Sequence, residues 1–266
     1  MKRIDLFLID AQNDFCNPKG SLFVPGADQD ALRVAKLIDR LGKKITNIHF
    51  TLDSHHPVHI AHACWWVNQD NQHPSPFTLI SAKDVENGTW RATKRSLQNY
   101  SLEYVKTLKK NGKYVCCIWP NHVQIGSWGH NLVPEVFESI KKWELENFKV
   151  ANALTKGSNP KTENYSALLA DVPDPSDSTT QLNVEFVKMI EEAEEIPFAG
   201  EALSHCVANT FRDLADNFSN SSYIKKLVLL RDCTSSVPGF EKQGEDFITD
   251  MMSRGLRVSN SVDYLA

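Results

Sequence analysis

No apolar run in this 266-residue chain approaches the ~20 residues that a membrane-spanning helix needs, so no span is expected. The opening "MKRIDLFLIDAQ" has only a short apolar stretch, broken by Asp5 and Asp10, and lacks a small-residue cleavage site; it reads as a first strand, not a signal peptide. Charge of one sign is also missing. With 29 basic and 33 acidic residues the net charge is −4, which gives no general attraction for nucleic acid or an anionic membrane. Cysteine is sparse: the six, at 16, 64, 116, 117, 206 and 233, show neither CxxC spacing nor the density of a secreted scaffold, so a reducing cytoplasm is the expected setting.

Two nucleotide fingerprints are absent as well. No GxGxxG follows the first apolar run and no GxxxxGK[ST] occurs, which removes the usual warrants for dinucleotide or nucleoside triphosphate binding. No repeat and no linker tract divides the chain, so one domain over 1–266 is expected, with 170–182 as an extended surface connection.

What is present is an alternation. The run 4–9 is a short buried strand ending at Asp10, apolar residues at helical spacing fill 31–41, and "KITNIHFTLD" returns to strand character. A right-handed crossover makes this a parallel β-α-β unit. Further strands are expected in "GKYVCCIWP", "NFKVANALTKG", "EEIPFAG", "IKKLVLLRD" and 256–260, with helices at 101–110, 131–142, 180–194, 205–217 and 241–253. The pattern predicts an α/β fold with a mostly parallel sheet covered by helices on both faces. Residues 57–100, rich in His, Trp, Asn, Gln, Ser and Pro, read as an elaborated loop region able to cover a pocket.

Three distant pieces carry chemistry. "TLDSHHPVHIAH" sets Asp53 and His55 just after a strand, with His56, His59 and His62 nearby; these are oxygen and nitrogen donors for a divalent metal, although spacing does not select the set. "WPNHVQIGSWG" adds His122 after another strand, and adjacent ends of a parallel sheet would bring Asp53, His55 and His122 together. Trp65 and Trp66 are candidate walls of a pocket for a planar substrate.

In "GEALSHCVANTF", Cys206 falls in the first turn of a helix, where free N–H groups favour a thiolate. Asp10 would take the thiol proton, Cys206 would attack an acyl carbon, and Lys156 from "ALTKGS" would hold the carboxylate. Backbone N–H groups at Ala202 and Cys206 would meet the oxyanion. His205 cannot face Cys206 as an adjacent helical residue and is left as a pocket or cap residue.

With "LIDAQNDF", "GSLFVPGA", "TLDSHHPVH", "WPNHVQIGSWG", "TKGSNPKTENYSALL", "GEALSHCVANT" and "LLRDCTSS" in place, the chain resembles the isochorismatase-like cysteine hydrolases, and within them the nicotinamidases. The resemblance implies a three-layer sandwich around a six-stranded sheet, frequent homo-oligomers, and a cis bond between Glu201 and Ala202. It implies Asp10, Lys156 and Cys206 as the catalytic set and Asp53, His55 and His122 as metal ligands, with Phe15 and Trp65 or Trp66 packing on the substrate ring. The activity implied is hydrolysis of nicotinamide to nicotinate and ammonia, serving pyridine nucleotide salvage, with the metal holding the pyridine nitrogen. The donors admit zinc first, then iron or manganese; magnesium would need more water oxygens.

The chain departs from the family pattern at Val123, where Cys is usual, at Leu203, Ser204 and His205 before the nucleophile, and at His56, which moves Pro57 one place later. These departures motivate a second reading, a cysteine amidohydrolase for another small amide or carbamoyl compound. A vinyl-ether hydrolase of the isochorismatase type and a non-catalytic binding or assembly protein on the same fold complete the alternatives.

Overall fold

The strand β1 (Asp5–Ile9) is buried at every residue and therefore needs cover on both faces. The computed structural model, which describes residues 2–266, supplies it. β1 joins β2 (Asn47–Asp53), β3 (Asn152–Lys156), β4 (Ile196–Gly200), β5 (Leu227–Leu230) and β6 (Arg257–Ser259) in one sheet of order β6-β5-β4-β1-β2-β3. Every neighbouring pair is parallel.

Parallel strands require crossovers, and the helices that make them are α1 (Ala27–Leu41), α2 (Gln98–Lys110), α3 (Pro134–Asn147), α4 (Val184–Glu191), α5 (Ala208–Asn217) and α6 (Glu241–Arg254). Alternation along the strands sends successive side chains to opposite faces. On one face Phe7 meets Phe198 at 4.9 Å between ring centroids and Phe186 of α4 at 5.1 Å; Phe198 reaches Phe211 of α5 at 4.1 Å, and Phe211 meets Phe247 of α6 at 5.5 Å. Such aromatic contacts add about 0.5–1.5 kcal/mol each beyond area burial. Helices α1 and α3 pack together and cover the other face, completing three layers. Pro134 opens α3, where its missing N–H costs nothing, and Gly255 closes α6 at φ 114°.

Three expectations need correction. "GKYVCCIWP" gives only Cys116–Cys117, paired antiparallel with Leu79–Ile80 outside the main sheet. Cys116 and Ile118 instead join a second core with Ile60, Trp65, Trp66, Ile80, Val85 and Tyr104, while Cys117 and Trp119 turn to the main core, and the place beside β2 belongs to β3. Residues 57–100 are accordingly more than a loop: they hold the short helix Ala82–Glu86, capped reciprocally by Ser81 and Asp84, and a two-residue ladder between Trp66–Val67 and Arg91–Ala92. Within 170–182, Ala170, Asp171 and Thr180 are buried, so that connection is not wholly a surface one.

Among the described residues, no helix is long and apolar enough to cross a membrane.

Candidate active site

The carboxyl ends of four adjacent strands converge. Asp10 follows β1, Asp53 ends β2, Lys156 ends β3, and β4 leads into Ala202 and Cys206. The chain runs from β1 outward to β2 and β3 on one side and returns to β4 on the other, so the crevice lies at a switch point of the sheet, where open α/β folds bind ligands.

Lys156 is the hub. Its Nζ lies 3.0 Å from Asp10 Oδ2, 3.0 Å from Asp53 Oδ1 and 3.6 Å from Cys206 Sγ, and it donates to the Asn164 carbonyl at 2.8 Å. Burial opposes its charge, but the two carboxylates outweigh burial and hold its pKa well above the ordinary lysine value. Asp10 is fixed by Thr51, whose hydroxyl donates to Oδ1 at 2.5 Å and accepts the Asp10 N–H at 2.9 Å. Burial raises the Asp10 carboxyl, offset in part by Lys156.

Cys206 sits in a π-helical turn, Leu203–Val207, that precedes α5, rather than in the first turn of an α-helix. Burial raises its thiol well above the ordinary value, and Lys156 offsets this only partly, while Asp10 adds its own charge and a hydrogen bond. Burial and the neighbouring Asp10 charge thus favour the protonated sulfur, while the Lys156 ammonium favours the thiolate. The Glu201–Ala202 bond is cis. Among the described residues the Ala202 N–H makes no hydrogen bond, so it is free to face a ligand oxygen.

Beside this trio stands a second. One ligand atom each from Asp53, His55 and His122 lies within 4.8 Å of the others, all three residues buried. His55 Nδ1 is tied to the Gly157 carbonyl at 3.0 Å and His122 Nδ1 to the Pro120 carbonyl at 2.8 Å, leaving both Nε2 atoms turned toward Asp53 Oδ2, at 3.1 and 3.8 Å. Such outer hydrogen bonds fix the tautomer a metal needs. His55 Nε2 has no hydrogen-bond partner despite full burial. One carboxylate and two oriented imidazoles fit a divalent transition metal. Burial disfavours charge on His55, yet Asp53 and Glu163 raise its pKa to about 9; burial, then His55, pushes His122 well below the usual imidazole value.

One cleft reaches both trios through Cys206, Asp53 and His122, and its other walls include Phe15, Trp119, Tyr165, Glu163, His205, Val237 and Ala202. Phe15 and His205 both line this cleft. Trp65 and Trp66 do not line it: they are buried in the second core, with indole N–H groups bonded to Ser101 Oγ and the Ile60 carbonyl. The aromatic wall is Trp119 and Tyr165, joined by a 3.1 Å hydrogen bond.

Thr51, Glu163 and Gln12 were missed by sequence reasoning. Thr51 shares a strand face with Asp53 two residues on, a signal that was available. Glu163 also groups with His55 and His59 as a second candidate ligand set, and its Oε2 is buried without a partner; it lies in a turn region with no periodicity to betray it. Gln12 clamps the Asp53 backbone through both N–H and C=O at 2.8 Å. Asp14 is structural: it accepts the N–H groups of Ser21 and Val123 at 2.9 and 2.6 Å, pinning the loops around Phe15.

Fold and site together define an α/β protein with the isochorismatase-like three-layer fold. No family model matches the sequence. The nicotinamidase of Saccharomyces cerevisiae is 24% identical over 208 residues, which cover 77% of this chain and 78% of that protein. The structure of the yeast nicotinamidase superposes with a TM-score of 0.67 at 19% identity, over 97% of this chain and 99% of that one. An Acinetobacter baumanii nicotinamidase and pyrazinamidase gives 0.66 at 20% identity over 99% of both chains. The pyrazinamidase of Pyrococcus horikoshii, solved in complex with zinc, gives 0.57 at 20% identity over 97% and 99%.

Proposed function

We propose that this chain is a cytoplasmic, single-domain amidohydrolase that converts nicotinamide to nicotinate and ammonia through a thioester on Cys206, in pyridine nucleotide salvage. The observation that carries the reading is the convergence of Asp10, Lys156 and Cys206, with Lys156 Nζ 3.0 Å from the carboxylate and 3.6 Å from the sulfur.

Asp10 Oδ2 takes the thiol proton as the sulfur attacks the carboxamide carbon. The carbonyl oxygen, now an anion, is met by the Ala202 N–H, and the Cys206 N–H is the second donor in this reading. Collapse breaks the C–N bond while Asp10 returns its proton to the nitrogen, and ammonia leaves. Water then attacks the thioester carbon, giving a proton to Asp10; expulsion of the thiolate frees the acid, and Asp10 reprotonates Cys206. Lys156 remains an ammonium throughout, holding both carboxylates in register.

Asp53, His55 and His122 would hold a divalent cation, zinc first by donor type, which supplies a Lewis-acid anchor for a substrate ring heteroatom. A second reading, hydrolysis of another small amide, is favoured by His205 and Glu163, which place polar groups in an otherwise aromatic wall.

The test is product analysis. Purified protein supplied with zinc, iron or manganese should release nicotinate and ammonia in equal amounts from nicotinamide, and Cys206→Ala should release neither. Efficient turnover of a different amide with no nicotinate formed would select the second reading.

A further inference from the structure

His205 carries an imidazole whose tautomer the surrounding hydrogen bonds decide. Its Nδ1 lies 2.9 Å from Ser204 Oγ, and that oxygen already accepts the Val237 N–H at 3.1 Å. Ser204 is fully buried, so its hydroxyl hydrogen needs an acceptor, and His205 Nδ1 is the one within reach. The opposite tautomer would strand that hydrogen. The hydroxyl therefore donates to Nδ1 and the ring proton resides on Nε2. Burial lowers the His205 pKa to about 3, which keeps the ring neutral.

The Nε2–H has nowhere to go within the protein. Among the described residues it has no hydrogen-bond partner, and it is not one of the atoms sealed from solvent. Around the ring stand Tyr114, Trp119, Tyr165 and Phe240, with centroids 4.7 to 5.3 Å away. The Tyr114 hydroxyl donates to the Ser204 carbonyl and the Tyr165 hydroxyl accepts the Trp119 N–H, and neither is hydrogen-bonded to His205. Because His205 lines the cleft that holds Cys206, the open side of its donor is the cleft.

We propose that the His205 Nε2–H is a specificity donor, selecting flat heteroaromatic amides that carry a second ring acceptor, a nitrogen or an oxo group, besides the heteroatom directed at Asp53, His55 and His122. This rests on the amidohydrolase reading for its substrate class. Ser204 is a positioning residue that acts through the tautomer it imposes. An aromatic cleft alone would rank ligands by ring area; a fixed donor penalises a ring that leaves it unpaired.

The experiment measures binding without turnover, in Cys206→Ala protein loaded with zinc. Dissociation constants are determined by calorimetry for nicotinamide, with one ring nitrogen, and pyrazinamide, with two. Adding His205→Phe should shift the nicotinamide-to-pyrazinamide ratio of dissociation constants by about tenfold against pyrazinamide. Ser204→Ala should shift it in the same direction, and Ser204→Thr, which keeps the hydroxyl, should restore it. Imidazole ¹⁵N spectra of the unsubstituted protein provide a readout independent of any variant's folding: the proton is expected on Nε2. A proton on Nδ1, or a ratio that His205→Phe leaves unchanged, overturns the inference while leaving the amide chemistry intact. Failure of both rings to bind overturns it together with the substrate reading. Discrimination in binding by a protein that hydrolyses neither amide supports the donor and removes only the chemistry.

Discussion

The ammonium of Lys156 lies 3.6 Å from the sulfur of Cys206, although 50 residues separate them in the chain. β3 delivers the lysine and the turn after β4 delivers the cysteine, with β1 and Asp10 between them. Removing the lysine has a cost beyond catalysis. Lys156→Met would leave Asp10 and Asp53 buried with their shared cation gone, and breaking a buried pair in this way costs about 3–5 kcal/mol. Urea unfolding should record that loss, with turnover reduced at least about a hundredfold by loss of the oriented carboxylate; a stability change below about 1 kcal/mol would mean the cation is not needed there.

Gly157 has φ +81°, and a Cβ built on it would stand 2.6 Å from Asp53 Oδ1 and 2.8 Å from His55 Cε1. Gly157→Ala should therefore push two proposed ligands apart, lowering metal content in the purified protein by about tenfold or more while the far-UV spectrum stays native. Full metal occupancy in this variant, or in His55→Ala and His122→Ala, would remove the trio from the metal site.

Glu201 is buried beside Asp30, and burial first, then the charge of Asp30, raises its carboxyl well above the usual 4.5. Asp30 is itself held by the Ser235 hydroxyl at 2.6 Å and by Arg33 at 2.9 Å. A raised native pKa means the folded state keeps a proton that the unfolded chain releases. The contribution is fully present below 4.5 and is lost as pH rises through the native value. Glu201→Gln removes this titration, so its urea midpoint should fall less than that of the parent as pH rises above the ordinary glutamate value. Parallel curves would show that Glu201 does not carry the proton.

Trp66 and Trp119 offer a contrast between packing and binding. Trp66 is fully buried in the second core, so Trp66→Ala should destabilise by about 3–5 kcal/mol and leave substrate affinity within about twofold. Trp119→Phe should do the reverse, weakening ring binding with a smaller loss of stability, because Trp119 lines the cleft. The comparison is read from urea midpoints and KM values; an affinity loss in Trp66→Ala would reinstate it as a pocket residue.

The sequence made the sheet legible where apolar runs ended in turn residues, as at Asp10, Asp53 and Lys156. It misled at "GKYVCCIWP", whose apolar residues suit a strand or a satellite core equally well; only tertiary pairing with Leu79–Ile80 decides. Trp65 and Trp66 failed as pocket residues for the same reason, since an indole is equally at home packed in a core. Chemistry-bearing residues at strand ends could be named from local pattern. Gln12 and Glu163 could not be assigned, because their roles join distant parts of the chain, 41 residues from Gln12 to Asp53 and 108 from His55 to Glu163 by their positions in the chain; Thr51 could have been, from the strand face it shares with Asp53. The environment of Cys206 also lay beyond local reading: a helix start favours a thiolate, whereas burial pushes the thiol pKa up.

The most direct test is acid-quenched peptide mapping by mass spectrometry within the first turnover on nicotinamide. An acyl group from the substrate should be found on the peptide containing Cys206, persisting longer in Asp10→Asn if any forms. Nicotinate released with no acyl group ever present on that peptide, or by Cys206→Ala at an undiminished rate, would contradict the account.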